Sequence, residues 1–383
     1  MRILYIYPEF VIKGGADKII IEKANYLVTH GYEVIIVTET QMGRKTSFPL
    51  EPGVKHIDMG LDFNKQYTQK FFQRGITYFS LIIKYKKRLR RILEQERPDI
   101  TITTLGRSID FITDIHDGSV KLGEAHTIRA HLRSFYKLEE KGVAYKCVTW
   151  FMKWQTSRNI SRLDALVLLT HDDAATWTEA QKTYVIPNPI LFYPKESAKL
   201  ENKQVIMVGR YNDAKGYDYL IPAWDMVHQK HPDWKLHVYG SGELHDQVVQ
   251  WIQERHLEDT IILHDPVNNI MEKYLESSFA VLSSRYEGFS LVILEAMTCG
   301  VPSVSFDCPH GPRNIIRDGE DGLLVEYLNP QALAEGICRL IEDEQLRKQF
   351  GENARRNIQR FSKDSVMKQW EDLFDHLTKN QIK

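Results

Sequence analysis

The sequence predicts an α/β protein made of two doubly wound parallel-sheet domains that face a central cleft. Three observations lead to this prediction. Short runs of β-branched and other apolar residues alternate with longer helical patterns along the chain. These runs are apolar at almost every position, which is typical of parallel strands covered by helices on both faces. With 383 residues, 43% of them hydrophobic, the chain can also bury two cores.

The first half of the chain contains five of these strand-like runs, separated by helical stretches. In chain order they read RILYIY, YEVIIVT, DITITT, ALVLLT and YVIPNP. A long helix is predicted within residues 71–100, directly before the third run. We therefore expect residues 1–188 to form one α/β domain.

The second half repeats the pattern after Asn188 and Pro189. Its strand-like runs are QVIMVGR, KLHVYGSG, TIILHD, FAVLSS and PSVSFD, with helices such as GYDYLIPAWDMVHQKHPD between them. The stretch PNPILFYP is a suitable linker, because proline disfavours a continuous helix. We expect a second domain over residues 189–361 and a separate C-terminal helix within residues 362–383.

Composition and motif content narrow the class of protein. The four cysteines, Cys147, Cys299, Cys308 and Cys338, show neither a CxxC pair nor metal-ligand spacing, which favours a reduced cytoplasmic compartment over a disulfide framework. Neither an HExxH motif nor an Asp/Glu/His cluster is found, so we expect no metal and no other cofactor. The start MRILYIYPEF lacks the features of a signal peptide, and no run of about 18 apolar residues is present to span a bilayer. We expect no nucleic-acid partner.

Charge is distributed unevenly along the chain, although the net charge is only -1. Residues 1–190 hold 28 Lys+Arg and 21 Asp+Glu, whereas residues 191–383 hold 22 and 30. In the predicted long helix an apolar stretch precedes six cations: Lys84, Lys86, Lys87, Arg88, Arg90 and Arg91. Such a helix can bind an anionic membrane, or it can simply pack its apolar stripe on a sheet. We expect a peripheral protein on the inner face of the cell membrane, docked through residues 71–91.

The segment SSRYEGFSLVILEAMTCGVPSV, residues 283–304, places two glutamates around an apolar helix. Ser290 is a good N-cap residue, and a Gly-x-Pro sequence closes the helix. Glu295 would then lie one turn inside a buried helix, where a carboxylate without partners is strongly destabilising. Either two hydroxyl groups of a ligand or an internal arginine, Arg285 or Arg313, would have to satisfy it.

Two cations follow a predicted strand of the second domain. Arg210 comes directly after the run VIMVG, and Lys215 lies before a helix that begins near Gly216. Ligands of doubly wound sheets bind beyond the carboxyl ends of the strands, so both cations would project into the cleft. Together with the N-terminus of the helix that starts at Leu291, they would suit a diphosphate. The alternative is that both are ordinary surface charges.

Weaker signals lie in three other loops. Gly14 and Gly15 fall between the first strand and the first helix, where a ligand can approach a backbone without Cβ atoms, although the GxGxxG pattern is missing. Gly240 forms a similar small-residue loop after a strand. His126, in KLGEAHTIRAHL with His131, is a candidate functional histidine. Each of these residues is also compatible with an ordinary turn or core position.

Together these segments resemble a known family. VGRYNDAKG, YGSGEL, SSRYEGFSLVILEAMTCGVPSVSFD and CPHGPRNIIRDGEDGLLV are similar to the retaining glycosyltransferases of family 4, whose Glu-x7-Glu motif corresponds to Glu287 and Glu295. GGADKIIIEKANYLVTHGYEVIIVT resembles the N-terminal domain of that family, so the resemblance covers nearly the whole chain. It implies the GT-B fold, in which two Rossmann-like domains face a cleft and the last helix crosses back to the first domain.

The resemblance also implies roles for individual residues. Arg210 and Lys215 would hold the diphosphate of the donor. Glu295 would accept hydrogen bonds from the ribose hydroxyls, and Glu287 would lie against the donor sugar. Contacts to sugar and phosphate are implied for the residues that follow Glu287: Gly288, Phe289, Ser290 and Leu291. His126 lies in a segment similar to the Glu-His stretch of the family, here with an alanine inserted, and is expected to be catalytic.

The implied activity is the retaining transfer of a hexose or N-acetylhexosamine from a nucleotide diphosphate sugar, with UDP favoured by the resemblance. The acceptor would be a lipid-linked or other saccharide, and FDCPHGP is similar to relatives that assemble surface polysaccharides. Fixed cations and helix N–H groups would offset the charge on the leaving diphosphate without a metal. The alternatives are a sugar-nucleotide epimerase or hydrolase of the same fold, and a non-catalytic nucleotide-binding protein.

Overall fold

The computed structural model of the protein describes residues 1–11, 14–68, 70–140 and 142–379. The chain divides into two compact units. Unit 1 comprises Met1–Pro187 with Met367–Lys383, and unit 2 comprises Asn188–Val366. Each unit contains one parallel sheet, as the uninterrupted apolar runs predict. The last four positions of the segment 362–383 lie outside the described residues.

Unit 1 contains a parallel sheet of seven strands. They are β1 (Arg2–Tyr7), β2 (Glu33–Thr38), β3 (Lys55–Asp58), β4 (Ile100–Thr103), β5 (Val120–Glu124), β6 (Ala165–Leu168) and β7 (Thr183–Val185). The order across the sheet is β3-β2-β1-β4-β5-β6-β7, so the winding direction reverses between β1 and β4. The helices are α1 (Gly15–Thr29), α2 (Phe71–Glu96), α3 (Phe135–Glu139), α4 (Val143–Ile160) and α5 (His171–Ala174).

Unit 2 contains a parallel sheet of six strands. They are β8 (Gln204–Val208), β9 (Lys235–Tyr239), β10 (Ile261–His264), β11 (Phe279–Leu282), β12 (Ser303–Phe306) and β13 (Gly322–Val325). The order is β10-β9-β8-β11-β12-β13, and the winding reverses between β8 and β11. The helices are α6 (Tyr217–Lys230), α7 (His245–Gln253), α8 (Ile270–Leu275), α9 (Leu291–Thr298), α10 (Pro330–Glu342) and α11 (Glu344–Asn357).

Helix α2 illustrates how apolar spacing attaches a helix to its sheet. Tyr85, Leu89 and Leu93 recur every four residues and are fully buried, in one cluster with Leu4 and Ile6 of β1. Burial of an apolar side chain of this size stabilises the fold by about 1.5–3 kcal/mol. The predicted long helix is therefore confirmed, and one of its faces belongs to the core of unit 1.

The last helix, α12 (Lys363–Lys379), begins in unit 2, and most of it belongs to unit 1. Trp370 is only 2% exposed, and the Lys23 ammonium of α1 lies 3.3 Å from the centre of its ring. The same ammonium forms a buried ion pair with Glu124 of β5, with a distance of 2.7 Å between Nζ and Oε1. Trp370 is thus part of the core of unit 1.

The structure adds three strands that the sequence pattern does not predict: β3, β5 and β13. Strand β3 is short and polar because it lies at the edge of its sheet. Strand β5, VKLGE, carries two charged side chains that are nevertheless buried, since Lys121 pairs with Asp117 and Glu124 with Lys23. Its local pattern therefore does not look apolar.

The chain contains no helix that could cross a bilayer, as far as the described residues go. Helix α2 is long enough, but lysine and arginine side chains recur through its second half.

Candidate active site

The sequence motifs of unit 2 meet where the winding of its sheet reverses. The chain leaves β8 at Val208 and passes through Arg210 to Lys215, and it leaves neighbouring β11 at Leu282 and passes through Ser284 to Glu287. The carboxyl ends of two adjacent strands, where the connections turn to opposite sides, leave a crevice that is the usual ligand site of such sheets. The topology thus places both motifs at one site.

Backbone contacts fix the loop that carries Lys215. The Ser283 hydroxyl donates a hydrogen bond to the Lys215 carbonyl at 2.8 Å, and the Arg285 N–H donates to the Ala214 carbonyl at 2.8 Å. Gly216 follows with φ +62°, and a Cβ at this position would collide with the Ser283 carbonyl. Only glycine permits both this left-handed conformation and so close an approach of the loop to the end of β11.

Lys215 and Glu287 form an ion pair at the centre of the site. The Lys215 Nζ lies 2.7 Å from Glu287 Oε1, and the side chains are 18% and 12% exposed. The Ser284 hydroxyl donates to the same carboxylate oxygen at 2.8 Å. A Cβ on Gly311 would collide with the Glu287 side chain, so a glycine is needed behind it. The carboxylate is therefore fixed in position.

The surroundings of this ion pair contain polar atoms that lack partners. Within the described part of the chain, three buried atoms on the segments that carry the pair have no hydrogen-bond partner: Asn212 Oδ1 in the Lys215 loop, Ser290 Oγ after Glu287, and Nδ1 of His310, which forms a β-bridge with Glu287. A buried polar group without a partner costs roughly 1–3 kcal/mol, so such a concentration calls for an explanation. A polar ligand that supplies several donors and acceptors would satisfy these groups.

Burial raises the pKa values of two further groups of unit 2. Burial, followed by the neighbouring Glu287 carboxylate, raises the pKa of the Cys308 thiol to about 12. Burial, followed by Asp265, raises the pKa of the Tyr211 hydroxyl to about 12. Neither group carries charge at neutral pH.

Glu295 lies on α9 with its carboxylate half-buried, so the expected dry environment is only partly correct. The Tyr274 hydroxyl donates to Glu295 Oε2 at 3.3 Å. The two arginines considered as its internal partners pair elsewhere: Arg285 with Asp218 and Asp213, and Arg313 with Asp307. A small cavity beside Glu295 is lined by 189–192 and by residues of α9.

The loop before α9 combines structural and exposed positions. Phe289 is 7% exposed and packs edge-on against Phe361, with ring centroids 5.5 Å apart, so its side chain belongs to the core. Ser290 occupies the N-cap position of α9, but its hydroxyl makes no capping hydrogen bond, in contrast to the sequence expectation. Gly288 and Leu291 remain partly exposed beside it. Their backbone is what a ligand could contact.

The other two predicted site residues of unit 2 are Arg210 and Gly240. The Arg210 side chain is exposed, next to the Lys215 loop. Gly240 has a structural reason of its own, since a Cβ there would collide with the Gly209 carbonyl at the end of the neighbouring strand. The close approach of two backbones therefore accounts for glycine at this position without any ligand.

Unit 1 holds the remaining predicted residues. Gly14 is the N-cap of α1 and Gly15 its first residue, directly after β1 and its loop. His126 follows β5, with its Nε2 atom 3.1 Å from Glu124 Oε1 of the buried Lys23–Glu124 pair. The structure thus brings His126 together with this ion pair of unit 1.

Unit 1 also contains a cavity that the sequence did not predict. Its volume is about 690 Å³, and it reaches Pro8 after β1 and Arg107 after β4, where the winding of this sheet reverses. The other walls come mainly from apolar residues of α2, α3 and α4: Ile76, Tyr78, Phe135, Leu138, Tyr145, Val148 and Met152. The sequence does contain one indication of this cavity. Arg107 follows its strand in LGR, much as Arg210 follows its strand in VGR.

Sequence analysis also missed several residues of the unit 2 site. Ser284 and His310 contact Glu287, and Asn212 lies in the Lys215 loop, but none of the three carries a local pattern. His310 has φ +75°, which a non-glycine residue rarely adopts, and it forms a β-bridge with Glu287. Such an arrangement is visible only when the chain is folded.

Comparison with known proteins identifies this arrangement. Residues 192–357 match the family of glycosyl transferases group 1. An uncharacterized glycosyltransferase of Haemophilus influenzae is 28% identical over 365 residues, which cover 94% of this chain and 96% of that protein. The amylovoran biosynthesis glycosyltransferase AmsD of Erwinia amylovora is 32% identical over 223 residues, 55% of this chain and 62% of that protein.

A solved structure extends the similarity to the fold. TarM of Staphylococcus aureus, in complex with fondaparinux, alpha-GlcNAc-glycerol and UDP, superposes with a TM-score of 0.75 at 17% identity, covering 97% of this chain and 99% of that one. The family match lies wholly within unit 2 and includes Lys215, Glu287 and Glu295. Residues 192–357 of unit 2 therefore match the group 1 glycosyl transferases, and the chain is a glycosyltransferase of the GT-B fold.

Proposed function

We propose that this glycosyltransferase moves a hexose or N-acetylhexosamine from a UDP-sugar to a saccharide or lipid-linked acceptor during the synthesis of a surface polysaccharide. The observation that carries the proposal is the set of three unpartnered polar atoms on the segments that carry the Lys215–Glu287 pair. A sugar and a diphosphate present the donors and acceptors that such atoms require. UDP is favoured because TarM, which shares the fold, was solved with UDP.

The residues of unit 2 suit a leaving diphosphate. When the bond between the anomeric carbon and the phosphate oxygen breaks, the electron pair stays on the diphosphate. Lys215, the exposed Arg210 and the first N–H groups of α9 would offset this charge. Glu287 would face the sugar, which gains positive character, and Glu295 would hold the ribose hydroxyls. The account uses no metal ion.

Retention of the anomeric configuration follows from attack on the face that the diphosphate leaves. The acceptor oxygen bonds to the anomeric carbon while the acceptor proton passes to an oxygen of the departing diphosphate. The protein then needs no separate base across the sugar. In this account His126, next to Glu124 in unit 1, keeps the catalytic role that the family resemblance implies for it.

The cavity of unit 1 is the proposed acceptor site. It lies at the position in the sheet where doubly wound folds bind ligands, and its walls are largely apolar. Arg107 and Arg133 line it while paired with Glu39 and Asp110. An acceptor that combines a saccharide with a lipid would match both the polar and the apolar parts. The name of AmsD supports a polysaccharide product.

We further propose that the protein is cytoplasmic and associates with the inner face of an anionic membrane through α2. The structure modifies the basis of this proposal. Lys86 pairs with Asp114, and Arg88 donates to the Met59 carbonyl, so these two cations serve the fold. The other four cations of the segment are exposed: Lys84, Lys87, Arg90 and Arg91. They would supply the attraction to anionic lipids.

Donor binding tests the proposed function most directly. We expect UDP-sugars to raise the melting temperature of the protein, because a ligand that binds only the folded state stabilises it. Lys215→Ala should abolish most of this shift and should lower transfer by roughly 10²–10³-fold, as for other oriented charges. Lys348→Ala, which removes an exposed lysine of unit 2 paired with Glu344, is the matched control and should change neither. Equal shifts with every nucleotide sugar, or a normal Lys215→Ala protein, would contradict the proposal.

A further inference from the structure

Exposed apolar side chains are concentrated on two helices of unit 1. Eight of the twelve large exposed hydrophobic residues in the described part of the chain belong to α2 or α4. They are Ile76, Phe79 and Ile83 on α2, and Val143, Val148, Trp150, Phe151 and Trp154 on α4. Single exposed apolar residues are normal, but a grouped set that includes two tryptophans marks a surface with a partner.

Helix α4 exposes aromatic side chains and buries polar ones. Trp150, Phe151 and Trp154 are 68%, 52% and 51% exposed, whereas Thr156 and Asn159 are buried. The buried side is held by hydrogen bonds, since Asn159 donates to the Asp110 carbonyl and accepts from Thr113. A helix that faces water normally turns its polar stripe outwards. This helix instead exposes three aromatic side chains, which stand beside the exposed cations Lys146, Lys153 and Arg158.

Helix α2 divides its outer face along its length. Its inner face packs on the sheet, while its N-terminal half exposes Ile76, Phe79 and Ile83. Its C-terminal half exposes the four cations named above. An apolar segment beside a basic one is the arrangement that binds a lipid surface, with the apolar part among the acyl chains and the cations at the headgroups.

The exposed sides of α2 and α4 are neighbours. Both helices line the cavity of unit 1, to which α2 contributes Ile76 and α4 contributes Val148. The Arg133 guanidinium joins the two regions, because it lies 3.5 Å from the Tyr78 hydroxyl of α2 and 3.2 Å from the Thr156 hydroxyl of α4. Exposed residues of both helices therefore adjoin at the cavity, and the surface considered below consists of the eight exposed apolar residues of α2 and α4.

We propose that this surface, the aromatic face, inserts into the headgroup and upper acyl region of an anionic bilayer. The proposal deepens the membrane association proposed above and does not depend on the transfer reaction. Tryptophan is enriched at membrane interfaces, and the exposed cations of α2 complement anionic lipids. A second copy of this chain is the other possible occupant, but two copies of a basic surface would repel each other.

Cys147 provides a probe on the α4 part of this face. It is exposed on α4, three residues before Trp150, while Cys299, Cys308 and Cys338 are buried. A thiol-reactive, environment-sensitive dye should therefore label Cys147 selectively. We expect its emission to shift to shorter wavelength with phosphatidylglycerol vesicles and to be quenched by lipids brominated in the upper acyl chain. A dye on Lys348→Cys of unit 2, in a Cys147→Ser background, should not respond.

Substitutions separate insertion from electrostatic attraction. Replacement of Trp150, Phe151 and Trp154 by Gln should weaken partition into anionic vesicles by about tenfold or more and remove the salt-resistant part of binding. Replacement of Lys84, Lys87, Arg90 and Arg91 by Gln should weaken binding mainly at low salt. All these side chains are exposed, so melting temperatures should be unchanged.

Three results would overturn the proposal. The first is that the emission of the dye on Cys147 does not change with anionic vesicles, and the second is that the dye on the unit 2 control is quenched equally. The third is self-association that depends on protein concentration and shifts the emission without vesicles. That third result would identify a second copy of the chain as the occupant. Transfer to a water-soluble acceptor, measured in parallel, reports on the proposed function alone. A protein that transfers sugar but ignores vesicles would contradict only the aromatic face.

Discussion

The Lys215 ammonium lies beside the Glu287 carboxylate. This ion pair holds the cation in position at a partly buried site. The Glu287 carboxylate and the Ser284 hydroxyl orient it, while a leaving diphosphate would compete for the same ammonium. Because the ion pair is neutral overall, the site does not bury an unbalanced charge. A diphosphate with more than one negative charge would nevertheless find Lys215 already oriented.

Glu295→Gln should weaken the binding of a nucleotide diphosphate more than it lowers the melting temperature. The amide keeps the shape of the side chain but loses the charged acceptor for ribose hydroxyls. Isothermal titration with UDP measures the affinity, and thermal unfolding measures the fold. Glu276→Gln, at an exposed glutamate of unit 2 paired with Lys273, is the control. A lower melting temperature with unchanged UDP affinity would identify Glu295 as a structural residue.

Gly240→Ala should destabilise unit 2, because the new Cβ would collide with the Gly209 carbonyl. We expect a loss of roughly 1–3 kcal/mol or more, as in other overpacked sites, visible as a lower midpoint of urea unfolding. Gly75→Ala makes the matched comparison, since no heavy atom lies within 4 Å of its Cβ position in α2, and alanine favours helix. If both variants unfold at the wild-type midpoint, the stability of unit 2 does not depend on the close approach of the Gly240 and Gly209 backbones.

At the scale of elements, the sequence predicted those strands and helices that a local pattern of apolar residues is enough to assign. The strands with uninterrupted apolar residues and the helix α2 were predicted because their spacing suffices to assign them. Strand β5 was not, since Lys121 and Glu124 are buried only through partners distant in sequence. The same limit explains the site: Glu287 and Glu295 stand in a recognisable motif, whereas His310 reaches it only through the fold.

The buried pair between α1 and β5 makes stability sensitive to acid. Burial opposes ionisation of Glu124, but the charges of Lys23 and His126 outweigh it and hold the pKa of Glu124 at about 2, below its ordinary value of 4.5. Its contribution is complete above pH 4.5 and is lost as the pH falls towards 2, by roughly 3 kcal/mol in total.

Thermal unfolding between pH 5 and pH 2 measures this contribution. We expect the double variant Lys23→Met and Glu124→Leu to lose less stability over this range than the wild type, because the titrating carboxylate is gone. Glu139→Gln, at a carboxylate of α3 paired with Lys153, leaves the buried pair intact and should follow the wild type. An unchanged acid dependence in the double variant would show that other groups cause it.

At the scale of the whole molecule, the two units contribute different chemistry. Unit 2 holds charged and polar groups suited to a nucleotide diphosphate. Unit 1 holds a largely apolar cavity and a basic, aromatic surface. This division agrees with the excess of basic residues in the first half of the chain and of acidic residues in the second.

The complete enzyme should retain the anomeric configuration of its donor and should work in the presence of EDTA. Both expectations follow from a diphosphate whose charge is offset by Lys215, Arg210 and the α9 N-terminus, and which itself takes up the acceptor proton. The anomeric coupling constant in the NMR spectrum of the product determines the configuration. A β-linked product from an α-linked donor, or activity that EDTA removes and Mg²⁺ restores, would refute this mechanism.

The path of the chain through the two units has a consequence for the order in which they can fold. Unit 2 draws all six strands from one continuous segment, whereas unit 1 needs α12, which follows unit 2 in the chain. On the ribosome, the segment of unit 2 is therefore complete while the Lys23 ammonium still lacks the Trp370 ring that covers it. Synthesis of unit 1 therefore begins first, but its fold can be completed only after α12 has been made. Unit 2, which is inserted within unit 1 in the chain, can complete its fold earlier.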